Sequence, residues 1–265
     1  MALMEMNNAK ISAFLQKSYC STAHLIKNIV AQFYCCDLCK QPSDKYSLLC
    51  STCYQDISRF NLAIVNGNLL NHPKISKHLP CIHFQQLIAL APYCWPYTRW
   101  VSELKYQHRF ELAPLLAKML VQHIKQANLC DELPKLLISV PIHYQRLKVR
   151  QFNQAALIAK HTAKELGCVF DETTIIRQCK TDSQVGQSGA NRRRNLKGAF
   201  AIEKPKILPE HVGIVDDVVT TGATVSEISK LLTQHGVKKI TVLSICLTIP
   251  VPPQDAGFQW ELKAI

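Results

Sequence analysis

Between Val212 and Thr224 the chain reads Val-Gly-Ile-Val-Asp-Asp-Val-Val-Thr-Thr-Gly-Ala-Thr. The apolar run Val212–Val215 suits a buried strand and ends at two adjacent carboxylates, Asp216 and Asp217. A short turn rich in Thr and Gly follows, and helical spacing then runs from Ala223 to Gln234, ending near Gly236. Few architectures accept that order. It describes the strand–turn–helix corner of an open α/β sheet, where ligands bind beyond the carboxyl ends of the strands. At such a corner backbone N–H groups and a helix N-terminus converge on one point, a pocket suited to a monoester phosphate. The candidate phosphate-binding residues are Val218, Val219, Thr220, Thr221, Gly222, Ala223 and Thr224. Thr220, Thr221 and Thr224 add hydroxyl donors, and Gly222 allows close backbone approach. Asp216 and Asp217 are placed to accept hydrogen bonds from sugar hydroxyls.

The rest of the C-terminal portion alternates in the same way. Leu87–Ala91 is a short apolar run, Tyr97–Leu104 and Leu112–Ala127 have helical spacing, and Leu136–Val140 reads as a strand ending at Pro141. Phe152–Leu166 reads as a helix closed by Gly167, and Ile240–Leu247 as a last buried strand. Such alternation argues for an α/β fold with a mainly parallel sheet covered by helices. Nearer the N-terminus, apolar residues from Ile11 to Phe33 fit one or two amphipathic helices, and another helix is expected around Ser58–Leu70. The expected division is an N-terminal helical segment (1–34), a four-cysteine module (35–60), a connecting segment (61–92), the α/β domain (93–250) and a C-terminal tail (251–265).

The chain has 12 cysteines, and its opening MALMEMNNAK lacks the basic-then-apolar pattern of a secretory signal. No run of 18 apolar residues suggests a membrane span. A cytoplasmic setting is therefore expected, in which cysteines serve as metal ligands or plain thiols. Cys36-x2-Cys39 and Cys50-x2-Cys53 are separated by ten residues. Each pair can present two thiolates, and two pairs complete the closed tetrahedron of a structural zinc site. Cys35 with Cys39 is an alternative register. A redox dithiol would need only one pair.

Lys and Arg number 31 against 19 Asp and Glu, a formal charge of +12. Such an excess favours polyanions: phosphorylated metabolites, nucleic acid or an anionic membrane surface. Two stretches concentrate it. Pro141, Ile142 and His143 form a loop after a strand, with Arg146, Lys148 and Arg150 next, a set suited to pyrophosphate. Further on, Gln184, Ser188, Arg192 and Asn195 lie in a polar stretch with Gly186 and Gly189, which reads as a mobile loop able to close over a substrate.

The Asp216–Thr224 segment resembles the PRPP motif of type I phosphoribosyltransferases. Thr220 stands where the 6-oxopurine enzymes carry a further acid, which speaks against hypoxanthine or guanine. Taken with the four cysteines, Tyr97 through Leu104-Lys105-Tyr106, Val140-Pro141, Arg150-x-Phe152-Asn153-Gln154 and Arg192-x2-Asn195, the chain resembles the ComF family of competence-associated proteins over residues 33 to 248. It departs from that family at Gln151, usually Gly, and at Gln187, usually apolar.

The resemblance implies a type I phosphoribosyltransferase fold with a small N-terminal zinc ribbon, and PRPP binding with Mg²⁺. It also implies a part in natural transformation, handling incoming single-stranded DNA at the cytoplasmic side. Contact with the DNA-uptake machinery and a peripheral place at the inner membrane go with that role. The alternative is a catalytic phosphoribosyltransferase of nucleotide or small-metabolite metabolism. It would carry out a pentosyl transfer in which Asp216 and Asp217 hold the ribose while Arg146, Arg150 and Arg192 stabilise the leaving pyrophosphate. The site residues in either case are Asp216, Asp217, Arg150 and Arg192. No dedicated base for an acceptor stands out. For DNA, Arg192-Arg193-Arg194, Lys197, Lys204 and Lys206 are the expected contacts.

Overall fold

The computed structural model of the protein describes residues 35–43, 47–79, 82–129, 133–178, 196–203 and 207–249. The helices expected within 11–33, the expected mobile loop and the tail 251–265 lie outside the described residues. The chain divides into two compact units, Met1–Ile57 and Ser58–Ile265.

The described part of the first unit is a small cysteine module. Lys40 adopts a left-handed conformation (φ 63°), and its N–H donates to Cys36 O at 2.9 Å while Cys36 N–H donates to Gln41 O at 2.7 Å. The chain thus reverses around the first Cys-x2-Cys. A bridge between Cys35 and Pro42 closes the reversal. Helix α1 (Ser51–Asp56) starts at the second pair, with Cys50 as its N-cap.

The second unit is built on a five-stranded, wholly parallel sheet in the order β1-β7-β6-β2-β3. Its strands are β1 (Gln86–Pro92), β2 (Leu136–Ser139), β3 (Val169–Asp171), β6 (His211–Val219) and β7 (Lys239–Leu247). The long strands β6 and β7 lie inside the sheet; β7 is buried beyond its first residue and β6 is buried over Val212–Val215, which is why these stretches are mostly apolar. Helices α4 (Leu112–Gln126) and α6 (Gln154–Leu166) pack on each other and on the sheet, and α7 (Ala223–Gln234) packs on β6. The strand β1 falls in the segment expected to be a connector.

Gly213 sits where β6 passes β2. A Cβ there would lie 2.4 Å from Leu137 Cδ2 and 2.7 Å from Pro134 Cγ, so any larger residue would have to displace those two side chains.

Other sequence expectations need correction. The strand expected to stop at Val215 runs on to Val219, because β7 pairs with it throughout: Asp216 with Ser244, Val218 with Cys246 and Val219 with Leu247. Both acids are therefore strand residues, and the turn begins at Thr220. The helix expected around Ser58–Leu70 is two 3-10 turns, Ala63–Val65 and Leu69–Asn71. Asn61 Oδ1 and Asn68 Oδ1 accept the N–H groups of Ala63 and Leu70, and Asn66 turns left-handed between them.

The basic loop after Pro141 is largely a short helix, α5 (Tyr144–Arg150), capped when His143 Nδ1 accepts from Gln145 N–H at 3.2 Å. A two-stranded antiparallel sheet of β4 (Ile175–Arg177) and β5 (Phe200–Ile202) was not legible in the sequence. Its strands are only three residues each, and their pairing spans a long intervening segment.

Candidate functional site

The parallel sheet brings the carboxyl ends of β1, β2 and β6 to one edge, and the predicted corner forms there. After Val219, residues Thr220–Gly222 turn the chain into α7. Gly222 is the N-cap in a left-handed conformation (φ 68°) and offers no side chain to the first turn of α7, which also lacks an acidic residue. The first N–H groups of a helix have no partners within it, so this start presents donors and the positive end of the helix dipole. The Thr221 hydroxyl is buried and finds no hydrogen-bond partner among the described residues. A hydroxyl buried unpaired costs about 1–3 kcal/mol. The segment before β1 backs the turn: Leu79, Ile82 and Phe84 lie within 3.9 Å of where a Gly222 Cβ would be, and His83 N–H donates to Ser226 Oγ at 3.1 Å.

The two acids differ sharply. Asp217 is 4% exposed, whereas Asp216 is half-buried. Burial would raise Asp217, but the Lys105 ammonium and hydrogen bonds from Lys105 and Gln154 outweigh it and hold the carboxyl below its ordinary value. Asp216 is pushed well above the ordinary carboxylate range by burial and by the charge of Asp217. The two carboxyls are thus driven in opposite directions. Asp216 Oδ1 also accepts from Asp217 N–H at 2.9 Å.

The segment Phe152-Asn153-Gln154 shows why such a run belongs here. Phe152 packs edge-on to Phe110 (ring centroids 4.9 Å) and against His108. Asn153 caps α6 by accepting from Ala155 N–H at 3.1 Å, and its Nδ2 donates to Val140 O at 3.0 Å, tying the helix to the end of β2. Gln154 donates to Asp217 Oδ1 at 3.2 Å and accepts from Arg150 at 3.2 Å. Arg150 also donates to Tyr106 Oη at 3.1 Å and lies 4.9 Å from the centre of that ring. The sequence-predicted Asp216, Asp217 and Arg150 therefore meet in one network. Its other members, Lys105, Tyr106 and Gln154, were legible only as members of the family motif, without a role.

The remaining predicted residues fall into three groups. Pro141, Ile142 and His143 lead from β2 into α5, with the His143 ring engaged as its cap. Arg146 is exposed on α5, close enough to Arg177 that its charge helps lower the Arg177 guanidinium, after burial. Gln184, Ser188, Arg192 and Asn195 lie outside the described residues, as do Arg193, Arg194, Lys204 and Lys206. Lys197 is described and exposed.

In the other unit, the thiols of Cys36, Cys39, Cys50 and Cys53 all lie within 4.8 Å of one another, with Cys39 Sγ and Cys50 Sγ 3.7 Å apart. Four thiolates at ~2.3 Å from one tetrahedral ion would be about 3.8 Å apart. Cys50 Sγ accepts from Cys53 N–H at 3.4 Å, the turn that points both thiols one way. Burial works to raise Cys36, but hydrogen bonds from backbone groups and thiols bring it down to about 6. The set can hold a metal ion, and Cys35 stands outside it.

Comparison with known proteins agrees with this architecture. A phosphoribosyl transferase domain model matches residues 153–252. The chain is 36% identical to the DNA utilization protein YhgH of Salmonella typhimurium over 81% of its own length and 97% of the relative's. It is 32% identical to Competence protein F of Haemophilus influenzae, over 73% of this chain and 88% of that one. The chain belongs to the ComF family. Competence protein ComFC of Streptococcus pneumoniae is more distant, at 24% identity over 54% of this chain and 60% of that one. The ComF family's usual Gly at position 151 has a local explanation here: Gln151 ends α5 with φ 63°, a conformation glycine adopts without cost. Among the described residues no helix is long and apolar enough to cross a membrane.

Proposed function

We propose that the chain binds PRPP, with its 5-phosphate at Thr220–Thr224 and its ribose hydroxyls on Asp216 and Asp217, and that it acts in natural transformation, handling incoming single-stranded DNA through its basic surface rather than through this pocket. The observation that carries the ligand assignment is the buried, unpartnered Thr221 hydroxyl at the uncapped start of α7, directly after the acid pair. Mg²⁺ would enter with the ligand's pyrophosphate and neutralise part of its charge. Arg146 and Arg150 are the described residues suited to the remaining charge, and Arg192 is proposed to join them from the loop.

The DNA role is supported by the names of the relatives and by α5. That helix buries none of its residues, carries Arg146, Lys148 and Arg150, and exposes Tyr144. Lys148 Nζ lies 4.7 Å from the centre of the Tyr144 ring, and Arg150 covers Tyr106 in the same manner. Cations paired with exposed aromatic rings suit a strand whose bases stack while its phosphates are neutralised. The cysteine module is proposed to bind one structural Zn²⁺ through Cys36, Cys39, Cys50 and Cys53. A cytoplasmic place, peripheral at the inner membrane, follows from the same role, as does contact with the uptake machinery. For the domains, we propose a zinc module at 35–60, a connecting segment at 61–92 that ends in β1, and a phosphoribosyltransferase-type domain over 93–250 to whose sheet β1 adds the edge strand.

The presence of two cations beside the acid pair, Lys105 and Arg150, favours pentosyl transfer as a second reading, since charge leaves C1 with pyrophosphate. Calorimetry with PRPP separates the cases. Asp216→Asn with Asp217→Asn should weaken PRPP at least tenfold, because charge-assisted bonds contribute ~1.5–3 kcal/mol each. Equal affinity in variant and parent would remove the assignment. A PRPP-dependent pyrophosphate-release screen with nucleobases, amines and single-stranded DNA decides whether transfer occurs.

A further inference from the structure

Asp217 lies almost out of reach of solvent, and a carboxylate at that depth keeps its charge only when cations and donors face it. They come from several elements. Lys105, near the end of α3 (Tyr97–Tyr106), forms an ion pair with Asp217 Oδ2 through a side chain that is itself only 19% exposed. From the first residue of α6, Gln154 donates to Oδ1 at 3.2 Å. At the end of α5, Arg150 steadies Gln154 and adds positive charge near Lys105. Asp216 precedes it on β6, and on β7 the Ser244 hydroxyl donates to Asp217 O at 3.4 Å while the buried thiol of Cys246 lies in register with Val218. Oδ1 thus faces the Gln154 amide and the buried Oδ2 faces the Lys105 ammonium, so the plane of the carboxylate is set by the protein.

An acid pair next to a polyphosphate has an electrostatic difficulty. Two carboxylates would repel the ligand they are meant to hold. A bridging divalent cation is one solution, and a built-in ammonium is another. We propose that Lys105 is a positioning residue that holds Asp217 as a charged, oriented acceptor for a ribose diol, so that recognition of the sugar of a phosphoribosyl ligand requires no metal ion between carboxylate and sugar. This rests on the PRPP reading and extends it to a residue outside the motif. Lysine suits the task because its charge is compact and its stem reaches from the helix end to the strand.

The test uses the full-length protein and ribose 5-phosphate, which carries the phosphate and the diol but no pyrophosphate to recruit a metal. Calorimetric titrations are made with a chelator present, between about pH 6 and pH 8.5, where an ordinary carboxyl is ionised throughout. The parent should bind in chelator as tightly as with Mg²⁺. Lys105→Met keeps the stem and deletes the charge. It should lose about tenfold or more near pH 6, consistent with losing one charge-assisted contact, and recover part of the loss as pH rises. Once the ammonium is gone, burial and Asp216 raise the Asp217 carboxyl, and the recovery follows its ionisation. Lys105→Arg should stay within about threefold of the parent, since it keeps the charge. If Lys105→Met does not fold, Lys105→Gln, a neutral donor of similar reach, carries the same comparison.

A folded Lys105→Met protein that binds ribose 5-phosphate like the parent at every pH overturns the inference and leaves the phosphate pocket standing. A parent that binds it only with a divalent cation overturns the inference as well. A parent that binds neither ribose 5-phosphate nor PRPP overturns the phosphoribosyl reading itself, and the role of Lys105 with it.

Discussion

Replacing Thr221 by valine separates what the phosphate corner does for stability from what it does for binding. The two side chains have nearly the same shape, so the exchange removes an oxygen and little else. In the free protein that oxygen is buried without a partner among the described residues. A hydroxyl in that state costs about 1–3 kcal/mol relative to water, so Thr221→Val should stabilise the free protein by ~1 kcal/mol, the low end allowing for imperfect fit of the new methyl. For a domain of this size ~1 kcal/mol corresponds to a rise of about 2–4 °C in Tm. On the proposed phosphate assignment the same hydroxyl would donate to the ligand's phosphate, and a bond to a charged group contributes ~1.5–3 kcal/mol. Affinity for ribose 5-phosphate should therefore fall roughly 10- to 100-fold. The assay pairs urea denaturation of the free protein with calorimetric titration of both forms. Opposite signs are the signature of a donor held ready for a ligand. A variant that loses stability and keeps its affinity would show that the hydroxyl belongs to the fold and that the phosphate sits elsewhere.

Asp216→Asn should stabilise the free protein, and more so as pH rises. The Asp216 carboxyl is raised in the folded state, so folding favours its protonated form, and ionising it above the ordinary carboxylate range costs stability that Asn never loses. Denaturation at mildly acidic and at neutral pH measures this, and a pH-independent difference would refute it. Gln151→Gly should raise stability by about 0.5–1 kcal/mol, since relief of the left-handed strain exceeds the added freedom of the unfolded chain. A loss of stability in urea titration would mean that the Gln151 side chain makes compensating contacts. Elemental analysis should find one zinc per chain, lost in Cys50→Ser, and chelation should melt the cysteine module while near-ultraviolet dichroism from Trp100 in the α/β unit persists. Absence of stoichiometric zinc from the purified protein would overturn the metal assignment.

The corner at Val212–Thr224 was legible because each of its signals is local: a buried run, two acids, Thr and Gly in the turn, helical spacing after it. The boundaries of α4, α6 and α7 were legible for the same reason, with Gly167 and Gly236 marking the ends. The extension of β6 through Asp216 and Asp217 was not, since acids rarely continue a strand and only pairing with β7 keeps them there. Helix α5 escaped because Tyr144–Arg150 has no apolar face to bury, so hydrophobic spacing carries no trace of it. Lys105 escaped for a different reason. Its meaning depends on a carboxylate 112 residues later in the chain (217 − 105), and nothing within α3 signals that partner.

The strand order has a consequence for how the protein is made. β1 pairs with β7 and with no other described strand, and Gln86 meets Thr241 across 155 residues. On the ribosome β1 emerges early and stays without its neighbour until almost all of the chain has been synthesised. The strand that completes the sheet is also the one that fills its middle, between β1 and β6. Until then the apolar surfaces of Leu87–Ala91 and of β6 stand open to other chains. A stalled or truncated product ending before Lys239 would therefore be a part-sheet with unsatisfied edges, a substrate for chaperones and proteases rather than a smaller version of the α/β unit.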